Sequence, residues 1–405
     1  MGNDTFFTQE TGYAIEASFG VATNTVTYRV PTNGLSRVTL RQERMPDLAA
    51  RSRQNAQGVS HIGGRSASLE FDVYFTGYGT ATTGTLVAQW INTLLRYGLG
   101  GYNISQVGGT VNAPTSAVQF TTTGVTGVAG AVVRVGSKGD GRADGQAAVV
   151  QSTGPMVLDT ALPATPNAAD VVYVAGMFYH DESTSNSLSS FRFVVQHTTT
   201  GAQYVLRGGQ LASLGITFPH GDMPVMSCRF EFANWDRVAI TTPTSNGVGF
   251  NDCAPVAGGS VFLQAAGTAT RNVVEAAEIE LSIDMGLAPR VGPGGVGNYQ
   301  SIGGWHRTRC VPTLTLTVPW VDTYETWWDT SNQSIVNKHC LITPNVSDGS
   351  RTGGVYLPNL FPIGPRPSAP VNVNELSYVR FSMRGTEGAD TTNELTRSAV
   401  RIFQG

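Results

Sequence analysis

The residues able to do chemistry are few and poorly placed for it. Histidine occurs at six positions, His61, His180, His197, His220, His306 and His339, and no two share the i, i+4 spacing that puts a pair of metal ligands on one helix face. His180, Asp181 and Glu182 are adjacent in "YHDE", but neighbours on a strand point to opposite faces and cannot converge, so residues 179–182 read as a solvated loop. No G-x-S-x-G elbow exists to expose a serine nucleophile. "GPGGVG" at 292–297 fits the dinucleotide-binding G-x-G-x-x-G letter by letter, yet Pro293 lies inside it and "NYQSIGG" follows where the phosphate-binding helix would have to begin. It reads as a flexible loop. Asp140-Gly141 and Asp144-Gly145 faintly resemble calcium loops, without the full ligand series or the bidentate Glu. The four cysteines, Cys228, Cys253, Cys310 and Cys340, form no Cys-x-x-Cys pair, which excludes the usual zinc spacings and points to free thiols in a reducing compartment. No catalytic, cofactor or metal site is expected, and the chain reads as a non-enzyme. A pair of carboxylates on a β-sandwich, as in some glycosidases, is an arrangement no single sequence rules out.

Composition points to a scaffold. The chain has 405 residues, enough for two or three domains. Glycine is abundant, 48 residues, and with 20 prolines and many Thr, Ser and Val it implies short strands joined by many turns. Only 14% of residues are charged and the net charge is -3, so no basic stripe is available to exchange counterions for phosphates. Lysine occurs only at Lys138 and Lys338; nearly all positive charge is arginine, which suits forked ion pairs at interfaces and equally suits a genomic codon bias. "MGNDTFFTQE" lacks the basic region and apolar core of a secretory leader, and Phe6 stands where a myristoylation motif wants Ser or Thr. No apolar run is long enough to span a membrane.

The elements that must organise these residues are mainly strands. In "SLEFDVYF", Leu69, Phe71, Val73 and Phe75 point one way and Glu70, Asp72 and Tyr74 the other; in "TLTLTVPW", Leu314, Leu316, Val318 and Trp320 alternate with Thr315, Thr317 and Pro319. Both are half-buried antiparallel strands. Each is preceded by another strand (37–42 and 278–283), a long loop, and the letters Ile-Gly-Gly, at Ile62-Gly63-Gly64 and Ile302-Gly303-Gly304. Each is followed by a helix. In "TLVAQWINTLLRYG" residues Leu86, Val87, Trp90, Ile91, Leu94 and Leu95 share a face and Gly98 can end the helix; in "DTYETWWDT" Tyr324, Trp327 and Trp328 do, as packing residues. Closing strands follow in both. The order is stated twice, so the chain reads as a tandem duplication with boundaries at 1–240 and 241–405. Residues 101–178 have no counterpart and read as a small barrel-like β insertion in the first copy.

This arrangement resembles the major tail tube proteins of long-tailed, siphovirus-like bacteriophages, in their tandem two-domain version. The likeness rests on the two strand pairs around Ile62-Gly63-Gly64 and Ile302-Gly303-Gly304, on the helix at 85–97 and on "YVLRGGQLASLGITFPHGDMPVMSCRFEFANW" at 204–235, and it covers nearly the whole chain apart from the insertion. It implies two antiparallel β-sandwich domains, each with one flanking helix. It also implies domains joined edge to edge around a lumen, three chains supplying the six domains of a ring. Rings would stack into the tail and let double-stranded DNA pass to the host without sequence-specific binding. The implied partners are further copies of the chain, the tape-measure protein, and tail-terminator and tail-tip proteins, in a virion assembled in the host cytoplasm, with no membrane and no cofactor. The long loops, about 43–61 and 284–301, are expected to contact the next ring through Arg44, Asp47, Arg51, Arg53, Asp284, Arg290 and Tyr299. Gly63, Gly64, Gly303 and Gly304 are expected at structural turns, with Gly63 and Gly303 where a side chain would crowd the backbone.

Two other readings remain open on sequence alone. One is a distal-tail or tail-terminator ring of related fold that caps a tube. The other is a carbohydrate-binding β-sandwich with Trp305, Trp320, Trp327 and Trp328 as stacking platforms. Deleting 288–298 is expected to leave a folded chain that no longer builds long tubes in negative-stain micrographs; unimpaired tubes would remove that loop from the stacking contact.

Overall fold

The computed structural model describes residues 9–21, 27–45, 61–75, 78–79, 90–103, 108–125, 127–136, 146–159, 161–162, 165–182, 189–197, 202–219, 222–238, 259–265, 272–291, 302–319, 338–344, 351–363, 371–373, 376–388 and 393–404. Antiparallel strands dominate it. β1 (Gln9–Ile15), β2 (Tyr28–Val30), β3 (Arg37–Met45) and β4 (His61–Tyr74) are followed by the short β5 (Tyr78–Gly79), helix α1 (Trp90–Leu99) and β6 (Gly100–Asn103). Six strands, β7 (Gly108–Ser116), β8 (Gln119–Thr123), β9 (Val132–Gly136), β10 (Gln146–Thr153), β11 (Met156–Leu158) and β12 (Val171–Val174), then close on themselves as a small barrel, the predicted insertion. The chain returns through β13 (Gly176–His180), β14 (Phe191–His197), β15 (Ala202–Pro219) and β16 (Val225–Val238).

The remainder comprises β17 (Gly259–Ala265), β18 (Asn272–Val274), β19 (Glu278–Asp284), a hairpin of β20 (Leu287–Val291) and β21 (Ile302–Arg307), β22 (Val311–Pro319), β23 (Lys338–Pro344), β24 (Arg351–Ile363), β25 (Val371–Val373), β26 (Leu376–Thr386), helix α2 (Glu394–Arg397) and β27 (Arg401–Gln404). In the N-terminal half the pairing order is β2–β1–β14–β15–β16–β4–β3. In the C-terminal half it is β18–β17–β23–β24–β26–β22–β19, with β25 continuing β24 along the same side of β26. Strand for strand, the two orders correspond.

Alternation fixes which face of the main sheet is buried. Leu69, Phe71 and Val73 of β4, Met226, Cys228 and Phe230 of β16, and Leu314, Leu316 and Val318 of β22 all point into one apolar core. At its centre the Phe193 ring lies 4.8 Å from Phe230, 5.4 Å from Tyr13 and 5.7 Å from Phe232. Helix α1 lays Trp90, Ile91, Leu94 and Leu95 on this core. It runs through Gly98, expected to end it, because Gly100, at φ +100°, makes the left-handed exit instead. The expected second helix at 322–330 lies outside the described residues.

The inserted barrel belongs to the N-terminal half by sequence and to the C-terminal half by packing. Its apolar interior is continuous with Leu341, Tyr356, Leu395 and Phe403. β6 pairs with β13, and β13 pairs with β27, so that Gly176–Tyr179 completes a sheet begun by β24 and β27. The buried Arg401 guanidinium donates to the carbonyls of Gly130 (3.0 Å) and Thr396 (2.6 Å) and lies over the Tyr356 ring, tying barrel, α2 and sheet together.

Tyr179 and His180 lie in β13, which corrects the reading of 179–182 as a solvated loop: β27 and β6 flank the strand on both sides. Burial, with the nearby Arg307 cation, lowers the His180 pKa to about 4, although Asp181 and Glu387 act in the opposite direction. Since the folded-state pKa lies below the unfolded one, near 6.5, the stability due to neutral His180 is complete above about pH 6.5 and declines as the pH falls toward 4. A His180→Gln chain is therefore expected to lose less stability than the parent between pH 7 and pH 4.5 in urea titrations; parallel losses would refute the assignment.

Candidate functional site

The feature that could serve a function is a sheet shared across both halves. β15 keeps β16 on one flank throughout, but changes partner on the other: residues 202–209 pair with β14, while Ser213–Pro219 pair with Asp284–Glu278 of β19. The switch falls at Gly208 and Gly209. Gly208 has φ +63°, and a Cβ on Gly209 would collide with the Phe232 ring, so neither position accepts a side chain without distortion. The result is a continuous run β3–β4–β16–β15–β19–β22–β26–β24, one face of which carries the core. The other face is polar. Row by row across it stand Arg37, Glu70, Arg229, Ser213, Asp284 and Val311, then Asp72, Ser227, Gly215, Ser282, Thr313 and Arg384.

Both margins of this run are open. Among the described pairings β3 bonds only to β4, and Phe361–Ile363 only to β26. Each margin leaves a row of backbone donors and acceptors facing outward. The two ends of the strands also differ. At one end Leu35 (62% exposed), Tyr74 and Met223 present apolar surface; at the other the β20–β21 hairpin carries Val291 (68% exposed).

The hairpin is anchored to the other half of the chain. Trp305 donates its indole N–H to the Gly208 carbonyl at 2.7 Å, at the point where β15 changes partner. Arg307, 5% exposed, donates to the carbonyls of Gly98 and, at 3.2 Å, Leu99 at the C-terminal end of α1, where the Leu99 carbonyl also accepts from the Asp181 N–H at 3.4 Å. Burial holds its pKa down to about 10. Neither role was legible from sequence; the only signal was "RGG" in the middle of an 18-residue strand.

Of the residues expected at inter-ring loops, Asp284 ends β19, where the Gly286 N–H (3.0 Å) and Arg309 (2.8 Å) hold its carboxyl below the usual range. Arg290 is exposed on β20 and Arg44 lies on β3; Asp47, Arg51, Arg53 and Tyr299 fall outside the described residues. The four glycines expected at turns lie in strands. Gly63 and Gly64 are part of β4, whereas Gly303 and Gly304 belong to β21, because Thr308–Cys310 interrupts what is a single strand in the first half. An added Cβ at Gly304 would make only an ordinary 3.6 Å contact with Arg290. Trp305 is committed to the Gly208 carbonyl, and Trp320, Trp327 and Trp328 lie outside the described residues, as do 140–145 and 292–297.

The described residues form a mainly β chain with one sheet running through both halves. A family model described as phage tail tube protein matches residues 8–336. The chain belongs to the phage tail tube protein family. No curated protein matches it.

Replacing Arg307 with Met takes the arginine donor from the Gly98 carbonyl and leaves the Leu99 carbonyl only the 3.4 Å bond from the Asp181 N–H, and is expected to cost about 2 kcal/mol in denaturant unfolding. Arg309→Met, which breaks only the exposed pair with Asp284, is expected to cost less than about 1 kcal/mol. Equal costs would show that Arg307 is not the anchor.

Proposed function

We propose that the chain is the tail tube subunit of a long-tailed, siphovirus-like phage, in which residues 1–240 and 241–405 each supply one tube domain and three chains close a pseudo-sixfold ring. One observation carries this reading. The internal joint between β15 and β19 joins strands whose counterparts in the other half are β24–β25 and β3, the two open margins. The same joint made between chains leaves no margin open.

The register of the external joint follows from the internal one. Matching Leu69 with Leu314 makes Arg37 the counterpart of Glu280 and Val371 the counterpart of Thr217; within the chain Thr217 and Glu280 are partners. Arg37 of one chain then stands across from Val371 of the next, and Arg41 across from Ile363. Rings stack through the loops 43–61 and 284–301, with the Val291 end of one ring against the Leu35–Tyr74–Met223 end of the next. Because the two ends differ, the contact is head to tail and extends without closing. The polar face lines the bore, which holds the tape-measure protein during assembly and passes double-stranded DNA during ejection. Terminator and tip proteins complete the two ends of the tube in a virion assembled in the host cytoplasm.

Arg37→Cys combined with Val371→Cys, or Arg41→Cys with Ile363→Cys, tests the joint. Oxidised filaments are expected to give dimers and trimers on a non-reducing gel, with trimer as the ceiling. Absence of any inter-chain band with both pairs, or a ladder running past trimer, would refute the ring.

A further inference from the structure

Two arginines on the polar face of the shared sheet, Arg229 and Arg380, are held by carboxylates of the same face, whereas the exposed Arg37, Arg41 and Arg384 of that face bond to no carboxylate among the described residues. Arg229 of β16 donates through Nε (3.1 Å) and Nη2 (2.7 Å) to Glu231, and its Nε lies 3.7 Å from Glu70 on β4. Glu70 is in turn the direct cross-strand partner of Arg37. Arg380 of β26 reaches over β22 to bond Glu280 of β19. Apart from Glu231, at 17%, these side chains are 39–57% exposed, and exposed ion pairs contribute only about 0–1 kcal/mol each, so holding the fold together is not a sufficient reason for them. Their consequence lies elsewhere. A free guanidinium on a surface that passes DNA would bind phosphate bidentately and release counterions, gripping the polymer. A guanidinium already bonded to a carboxylate offers no such fork.

We infer that Glu70, Glu231 and Glu280 mask Arg229 and Arg380 from DNA phosphates, and that this masking lowers the grip of the polar face on duplex DNA. The inference rests on the proposed tube reading, in which this face lines the bore. Neutral serine and threonine side chains fill the positions between the pairs, at Ser213, Ser227, Ser282, Thr313, Thr315 and Thr317. The surface therefore offers hydrogen-bonding groups without a free cation at the pairs.

The test is duplex binding by the full-length, unassembled chain, followed by fluorescence anisotropy of a labelled DNA, beside micrographs of assembled material. The parent chain is expected to show weak binding. E70Q/E231Q/E280Q is expected to bind, with two to three freed arginines making the affinity fall roughly ten- to fortyfold between about 50 and 200 mM salt. D222N/E275Q, which removes negative charge from exposed carboxylates that hold no arginine among the described residues, is expected to behave like the parent. Adding R229Q and R380Q to the first variant is expected to reverse most of its gain, and melting curves of all four chains report whether each is folded. A first variant that is folded and no stickier than the parent, or a control variant equally sticky, overturns the masking, and so does a gain that survives R229Q and R380Q. Should the first variant fail to fold, E231Q alone on the same readout decides between the same outcomes. A parent chain that forms no tubes counts against the tube reading instead, whatever the DNA result.

Discussion

Backbone amides at the margin of a sheet must find partners, and this requirement shapes the whole molecule. Inside the chain it is met where β15 leaves β14 and takes up β19, so that seven consecutive residues on each side bond in register. Outside, at β3 and at Phe361–Ile363, it is not met by anything within the described structure. Unpaired strand margins of this kind favour association with another chain. The internal joint is the template for the inter-chain contact proposed above.

The two halves are locked together in three layers, which makes the internal joint stiff. The shared sheet is the first. The second is the β20–β21 hairpin, whose Trp305 and Arg307 bond to the Gly208 carbonyl and to the end of α1. The third is the inserted barrel, which leaves the N-terminal half as sequence and returns as part of the core and sheet of the C-terminal half. His180 sits at this third contact, accepting burial in the neutral form while Ser398 bonds its backbone N–H. In the proposed ring, a chain braced in this way would set the angle between its two units before any second chain arrives, at a lower entropic cost of closure.

Much of this was legible in the sequence, and for identifiable reasons. Alternation in "SLEFDVYF" and "TLTLTVPW" gave strands and their buried faces, since period-two patterns leave little choice of face. The apolar stripe of α1 gave the helix, and turn glycines among short valine-rich runs gave the barrel. Non-local pairing left weaker traces. Nothing in "YVLRGGQLASLGITF" announces that one strand changes partner midway, although the paired glycines mark the place. The repeated Ile-Gly-Gly suggested equivalent turns and instead marks a continuous strand in one half and a separate hairpin in the other, because Thr308–Cys310 breaks the second copy. Arg307 was invisible as an anchor: an arginine spent on helix-end carbonyls looks, in sequence, like any other.

The central claim is that one joint geometry, present once inside the chain, is repeated between chains. A cryo-electron microscopy map of tubes grown from the purified protein examines it directly. The expected map shows a closed inner barrel in which β3 of each chain runs antiparallel to β24–β25 of its neighbour, with three inserted barrels per ring on the outside. A map in which neighbouring chains meet through those barrels, leaving β3 unpaired, would refute it.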